Sequence, residues 1–332
     1  MAESSKLKLL YILEIMKKTD WLHPLNTTEI AKKLRSKYGV TAERKSIARD
    51  LACLDDAGYS IKLCEDHNRG YYMTDQLFED YELKLLADAV NASPFLTVKD
   101  TRDLVKKIHS LATVEGEEII KATSLCDPGI KTENVRNKMK LDILTRAIKY
   151  KRKISFQYHA VGKDAGKKLH RDGKVYTVSP YYLVMFQYEY YLIANPDTHD
   201  HLTHFRLERI TNLDELKTII RNPRELPEHG EAFDLASYMR SAVNMWTGET
   251  VSIRLHCKDF MRPHIRARFG KEAHFSEDRD GGFSVTLRVV DNRGLYQWLA
   301  HYGESVKVLS PDTVVEHYLA YLGDILKNYE RK

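Results

Sequence analysis

Cysteine is scarce in this 332-residue chain, and its four copies, Cys53, Cys64, Cys126 and Cys257, stand far apart with no CxxC pair. That excludes the common zinc modules and argues against a disulfide framework, as expected of a reduced compartment. Long apolar runs are missing too. No stretch reaches 18 uncharged apolar residues, so nothing in the sequence reads as a membrane span. Lys6, Lys8, Glu14, Lys17 and Lys18 interrupt the first turns, which leaves no apolar core for a signal peptide; the expected location is the cytoplasm. Catalytic signatures are absent as well: there is no G-x-S-x-G, HExxH or G-x-G-x-x-G. Gly162–Lys168 (GKDAGKK) falls one residue short of a phosphate loop and lacks the Ser/Thr after its lysine. His199, His201 and His204 crowd together, but without a Cys or a carboxylate pair beyond Asp197 and Asp200 they read as a polar hairpin turn. No metal, no cofactor and no enzymatic activity are expected.

What is present is a soluble composition, 43% apolar and 30% charged, in a length that suits two or three domains. The net charge of +5 is mild. Its distribution is not: Lys131 to Lys174 holds 14 Lys/Arg against four acids, whereas residues 1–73 hold 13 against 10. A local excess points to an anionic partner more than a global one does, although a solvated helix face with a lysine-rich loop would give the same count.

The first 75 residues suggest three short helices and a hairpin. Leu9, Ile12, Leu13 and Met16 form one helical stripe. Asn26, with Glu29 three residues later, has the spacing of a capping box, and Ile30, Ala31 and Leu34 continue the buried face. A third helix is predicted from about Ala42 to Ala57, with Thr41 as N-cap and Gly58 just past its end. Ile47, Leu51 and Leu54 cluster on one side of its wheel. Lys45 and Arg49 lie opposite on a single ridge, with Arg44 and Ser46 at the N-terminal end and small alanines alongside. A helix entering a major groove needs this set, cations with little bulk between them, though an ordinary solvated face carries it equally well. SIKLCEDHNRGYYM reads as two strands around a polar turn, with Asn68 and Arg69 at the tip. The whole is the layout of a winged helix-turn-helix, residues 1–75.

Residues 76–132 read as a helical linker. Leu77, Phe78, Tyr81, Leu85 and Leu86 supply one apolar face, and Leu104, Ile108 and Leu111 another. A helix at about Asn134–Tyr150 and five strand-like runs up to Ile219 suggest a small, strongly bent barrel over residues 133–225. Pro223, Pro227 and Gly230 then mark a break. The remainder, 226–332, has a βαββαβα-like order, an α/β sandwich, in which Pro311 opens the last helix with Ser310 as cap. The fold class is therefore multidomain α+β.

Two stretches carry family resemblances. Thr28-Glu29-Ile30-Ala31, Ser46-Ile47-x-Arg49-Asp50-Leu51 and the wing ending Arg69-Gly70-Tyr71-Tyr72 resemble the DeoR-type winged helix-turn-helix of bacterial repressors, with a slightly long segment at Tyr38–Lys45. Ser179-Pro180-Tyr181-Tyr182-Leu183, Tyr190-Tyr191-Leu192 and Phe205-Arg206-Leu207-Glu208-Arg209-Ile210 resemble the WYL domain, with Tyr190 where that family has its Trp. The tail, with Trp298, Val306–Pro311 and Tyr329, resembles the C-terminal extension of the same family. The resemblance implies an Sm-like barrel that senses nucleic acid or a nucleotide-like ligand. The residue types agree: Arg206 and Arg209 beside Tyr158, Tyr182, Tyr190 or Tyr191 could clamp phosphate and stack on bases. They could equally form surface salt bridges with Glu208 or Glu189.

Together these readings describe a cytoplasmic bacterial transcription regulator that binds double-stranded DNA as a homodimer. A nucleic-acid or nucleotide effector would control it through the WYL domain. Two alternatives stay open: a single-strand or RNA-binding protein acting mainly through its barrel, and a nucleotide-processing enzyme with an appended DNA-binding domain.

Overall fold

The computed structural model describes residues 2–66, 69–123, 131–159, 169–227, 233–270, 273–278 and 281–329. It divides into two compact units, Met1–Val135 and Arg136–Lys332. Of the sequence expectations, Asn68, Cys126, Gly230 and most of the loop Gly162–Lys174 lie outside the described residues.

In the first unit, α1 (Ala2–Met16), α2 (Thr27–Tyr38) and α3 (Arg44–Asp56) precede a two-stranded antiparallel hairpin, β1 (Ile61–Cys64) and β2 (Gly70–Met73). Ile12, Met16, Ile30, Leu34, Ile47, Leu51 and Leu54 meet in one core. The capping box at the start of α2 is formed: Asn26 Oδ1 accepts from the N–H of Thr28 and of Glu29, and Glu29 accepts from the Asn26 N–H at 2.8 Å. The expected cap of α3 is corrected. The helix begins at Arg44 after Glu43, not after Thr41, and Glu43 makes no side-chain capping bond. Gly70 lets the hairpin approach the strand-like segment at Leu25, which pairs with Tyr71 through two backbone bonds. A Cβ there would come within 2.8 Å of the Leu25 backbone.

The same unit continues with α4 (Asp80–Ala92), α5 (Val98–His109) and α6 (Val114–Thr123), packed around Leu83, Ala87, Ile108, Ala112 and Ile120. These helices are tied to the head rather than strung out from it. Lys18 Nζ donates to the carbonyls of Ser110 and Ala112 at 2.6 and 2.7 Å. The apolar faces read from the sequence are mostly reversed: Leu77, Tyr81, Leu85, Leu86, Leu104 and Leu111 are exposed. α4 carries apolar residues all round, so periodicity alone could not choose the stripe that packs.

In the second unit, α7 (Asn137–Lys149) leads into β3 (Arg152–Tyr158), β4 (Val175–Phe186), β5 (Glu189–Pro196), β6 (Thr203–Arg206) and β7 (Ile210–Ile219). These form one antiparallel sheet in the order β6-β5-β4-β3-β7. The closed barrel is corrected: among the described residues no ladder joins the outer strands β6 and β7. β6 is four residues long and gives way at once to a 3-10 turn, Leu207–Arg209. In place of a ladder, the N–H of Arg206 donates to the Tyr158 hydroxyl at the end of β3, 2.8 Å away. Pro180 sits inside β4 at a register shift, where a missing donor is tolerated.

α8 (Leu235–Ser241), which the sequence did not announce, precedes β8 (Thr250–Cys257), α9 (Arg262–Phe269), β9 (His274–Glu277), β10 (Phe283–Val290), α10 (Arg293–Tyr302), β11 (Val306–Ser310) and α11 (Asp312–Lys327). The second sheet has the order β11-β8-β10-β9, and every pairing in it is antiparallel. Ile253, Leu255, Val285, Leu287, Val306 and Val308 point to one face and share a core with Ile265, Leu295, Leu299 and Val314 from the helices. Ser310 ends β11 rather than capping α11; Pro311 holds the cap position. No described helix is long and apolar enough to cross a membrane.

Candidate functional site

Two groups of residues carry the candidate chemistry. The first is on α3. Because Ile47, Leu51 and Leu54 are buried, the helix turns Arg44, Lys45 and Arg49 outward, and all three are exposed. None of them makes an ion pair among the described residues, so the ridge presents three uncompensated cations. Ser46 behaves differently. Its hydroxyl accepts from Lys8 Nζ, which also lies 2.9 Å from Asp50 with both side chains largely covered. Lys8 thus clamps α1 to α3, and Ser46 serves the packing of the head. Arg69 is exposed on the hairpin.

The second group lies where β3, β5 and β6 meet. The register pairs Arg206 with Tyr191 and Phe205 with Leu192. Alternation therefore puts Arg206 and Tyr191 on one face, and Tyr190 on the other with Leu192 and Phe205. Arg206 is held by two carboxylates, Glu189 and Glu208. Glu189 also accepts from the Tyr191 hydroxyl at 3.2 Å. Burial pushes the Tyr191 phenol up to about 12, so it stays protonated and donating at neutral pH. Arg209 lies with its guanidinium carbon 4.3 Å from the centre of the Tyr158 ring. Its Nε and Nη2 both donate to the His159 carbonyl, at 3.0 and 2.6 Å. Tyr158 is buried beside Phe156 and Phe205, and burial also raises its phenol above the usual range. Tyr182 stands apart, stacked on Phe233 at 5.5 Å. Of the six residues expected at a ligand site, the structure therefore brings together Tyr158, Tyr191, Arg206 and Arg209, and separates Tyr182 and Tyr190 from them.

Sequence reading missed two cationic neighbours, Lys140 and Arg268, and offered two anionic ones only as an alternative. Glu189 and Glu208 were seen only as possible partners, and they now set the local charge: one arginine between two carboxylates leaves no net positive charge at Arg206. Lys140, on α7, is buried with its ammonium 3.4 Å from the carbonyls of Leu207 and Glu208. Desolvation draws it down to about 8. Arg268, on α9, lies over Phe186, whose ring meets Tyr191 edge-on at 6.5 Å. Burial lowers its pKa as well. Arg206 Nε and Arg268 Nη2 are both buried with no acceptor among the described residues. Such donors are costly to leave unpaired. Nothing in local sequence pointed to Arg268, which comes from a helix more than fifty residues beyond β6.

Among the described residues the histidines form no group that could hold a metal ion; His199 and His201 lie side by side, ring centres 6.3 Å apart. His204 points inward, with Nδ1 2.8 Å from the Met245 carbonyl and Nε2 2.9 Å from the Tyr238 hydroxyl. The carbonyl can only accept, so Nδ1 carries the proton and Nε2 accepts from Tyr238. Burial lowers the pKa of His204, in keeping with that neutral state.

Residues 139–215, α7 through most of β7, match the WYL domain. Residues 249–326 match the WCX domain. The two matched stretches follow one another along the chain. The four residues brought together around Arg206 all belong to the WYL domain, and Arg268 belongs to the WCX domain. Among solved structures, the chain is similar to proteasome accessory factor B/C (PafBC) of Arthrobacter aurescens, at 15% identity and a TM-score of 0.30, covering 98% of this chain and 49% of that one. It thus spans about half the length of that protein. It is also similar to a CRISPR Cas-related protein, at 15% identity and a TM-score of 0.38, covering 98% of this chain and 85% of that one. No curated protein matches it.

Proposed function

We propose that this protein is a DNA-binding transcription regulator whose WYL domain takes an anionic effector, a nucleic acid or a nucleotide. On this reading α1–α3 and the β1–β2 hairpin are a DeoR-type winged helix-turn-helix, with α3 in the major groove and Arg69 near the backbone. The bent five-stranded sheet is an Sm-like barrel left open, the WCX domain is an α/β sandwich, and the molecule acts in the cytoplasm of a bacterium as a homodimer, by binding and not by catalysis. The observation that carries the reading is the uncompensated ridge of Arg44, Lys45 and Arg49, opposite a fully buried stripe on the same helix. An ordinary surface helix usually intersperses acids with such cations; a helix facing phosphates and base edges does not.

The effector reading draws support from the two buried guanidinium N–H groups without acceptors and from the aromatic rings around them. An incoming phosphate would replace Glu208, the more exposed of the two carboxylates on Arg206. For control, the effector must bind one arrangement of the DNA-bound molecule better than another, because equal affinity shifts nothing.

The test is duplex DNA binding by the double variant Lys45→Glu/Arg49→Glu. Both side chains are exposed, so folding is preserved and circular dichroism should be unchanged. Binding should collapse. In the wild type it should fall with salt at a log–log slope of about −0.9 per neutralised phosphate. Undiminished binding by the folded variant would remove α3 from the role.

A further inference from the structure

The WCX sheet has two faces; one carries the core, and the other is covered at Ser284 and Val290 but open between them. Its strand order β11-β8-β10-β9 and the shared core place α9, α10 and α11 on the side of Ile253, Leu255, Val285 and Leu287. On the other side Ser252, Arg254, Thr286, Arg288 and Lys307 are all exposed. The register fixes how the cations line up. Arg254 pairs with Thr286, so Arg288 is its diagonal neighbour; Lys307 pairs with His256, so it is the next diagonal neighbour on the far side. Diagonal neighbours in a sheet sit about 7–8 Å apart. Three cations thus step across three adjacent strands in one line.

One carboxylate stands beside that line: Asp278, whose pKa is lowered mainly by its hydrogen bonds to His256 and Ser284 and also by the charge of Arg254. Among the described residues, Arg254, Arg288 and Lys307 make no ion pair. Asp278, one residue past β9, is taken up by His256 Nδ1 at 2.6 Å and by the Ser284 hydroxyl at 2.8 Å. Like charges on neighbouring strands cost stability, so the arrangement is one that a polyanion would relieve.

A second observation lies at the Arg288 end of the line. A cavity of about 1240 Å³ opens there, lined by Ser252, Thr286 and Arg288 of the same face together with Ser237, Tyr238 and Trp246. Trp246 is 47% exposed although its neighbours Val243 and Met245 are buried. The lining balances Arg240 and Arg288 with Asp234 and Glu249, and the indole at its rim offers a stacking surface that accepts any base. The strands themselves put only the imidazoles of His256 and His274 on this face, so the large stacking surface is that of Trp246.

We propose that the open face of the WCX sheet binds single-stranded nucleic acid, with successive phosphates on Arg288, Arg254 and Lys307 and one base stacked on Trp246. A single row of cations follows one backbone, whereas a duplex presents two. This surface is separate from the Arg206 group of the WYL domain and does not depend on that group's effector reading.

The experiment is fluorescence anisotropy of the full chain with labelled oligothymidylate and, in parallel, with a duplex. The variants are Arg254→Gln/Arg288→Gln/Lys307→Gln, Trp246→Ala and Lys45→Glu/Arg49→Glu. The triple variant should lose oligothymidylate affinity, and its salt slope should shrink by about 2, from roughly 0.7 per phosphate for a single strand. Trp246→Ala should weaken the same probe about five-fold or more, the range expected for one stacked base. The α3 variant should bind the single strand as the wild type does, which separates this proposal from the DNA-binding reading. Thermal melts of each variant check folding, and Arg254→Gln alone serves if the triple variant melts early. No binding of oligothymidylate by the wild type would overturn the proposal. So would equal affinity and slope in the triple variant, or a loss confined to the duplex.

Discussion

Arg209 lies over the ring of Tyr158, its guanidinium carbon 4.3 Å from the ring centre, and turns two of its N–H groups onto the His159 carbonyl. One side chain thereby fixes the end of β3 to the turn that follows β6, where the sheet would otherwise lie open. Arg206 supports the same junction by its backbone, through the bond to the Tyr158 hydroxyl. The two arginines of the WYL motif divide the work: Arg209 holds the fold, and Arg206, set between Glu189 and Glu208, faces the surface.

Replacing Arg209 by Ala should therefore destabilise the chain whether or not any effector is present. Charge-assisted hydrogen bonds of this kind contribute about 1.5–3 kcal/mol. Arg209→Lys should recover only part of that, because an ammonium lacks the planar fork and stacks poorly. Urea denaturation of the three proteins measures it. Equal midpoints would mean that the stacked arginine carries no structural load.

Much of the head was legible in the sequence because its signals are local. The Asn26–Glu29 capping box needs only two residue types at one spacing, and the stripe Ile47, Leu51 and Leu54 needs only helical periodicity. The charge state of the WYL site was only half legible, since salt bridges with Glu189 or Glu208 were one of two readings the sequence left open. Glu189 and Arg206 are brought together by the pairing of β5 with β6, and Arg268 arrives from another domain. The packed face of α4 was not legible, since a helix apolar on several sides leaves the choice to its neighbours. The open sheet has a similar cause: strand propensity predicted the strands, but whether β6 reaches β7 depends on the 3-10 turn at Leu207–Arg209.

Glu208 pairs with Arg206, and if the proposed effector binds there, removing that carboxylate should favour it. Glu208→Gln keeps the size and hydrogen-bonding capacity and deletes the charge. Titration with nucleoside monophosphates and short oligonucleotides should show tighter binding than the wild type, by several-fold. The gain should be largest at low salt, where exposed charges are least screened. Arg206→Ala should show the reverse. If neither variant changes the affinity of any such ligand, Arg206 is only a partner for its two carboxylates.

Lys140 should leave a mark on the pH dependence of stability. Its pKa falls from 10.5 to about 8 on folding, chiefly through desolvation. Between those values the unfolded chain binds more protons than the folded one, so the contribution of this site to stability rises with pH across that window. Below about pH 8 the lysine is charged in both states and the cost of burying it is fully felt. Lys140→Met should abolish this rise. The gap in denaturation midpoint between variant and wild type should be most favourable to the variant at pH 7 and should narrow toward pH 10. A gap that stays constant would mean that the ammonium is not desolvated.

On the proposed homodimer reading, the end of the last helix is the face to test for contact with a second copy of the chain. The sequence allotted Val314, Val315, Tyr318, Leu322, Ile325 and Leu326 either to the domain's own core or to a partner. The structure divides them: Val314 is fully buried, with Val315 and Tyr318 packed against the same core, while Leu326 is 63% exposed. Leu319, at 59%, extends that exposed side, and a spacing of seven residues keeps the two on one stripe. A stripe at this spacing suits pairing with a copy of itself, the self-complementary contact that a two-fold dimer requires. A regulator reading paired half-sites needs such a dimer. Leu319→Glu/Leu326→Glu should therefore yield a folded monomer by light scattering. Its affinity for a palindromic operator should drop steeply while its binding to a single half-site stays as it was. A dimer of undiminished strength in this variant would assign the interface elsewhere and leave the end of α11 as plain surface.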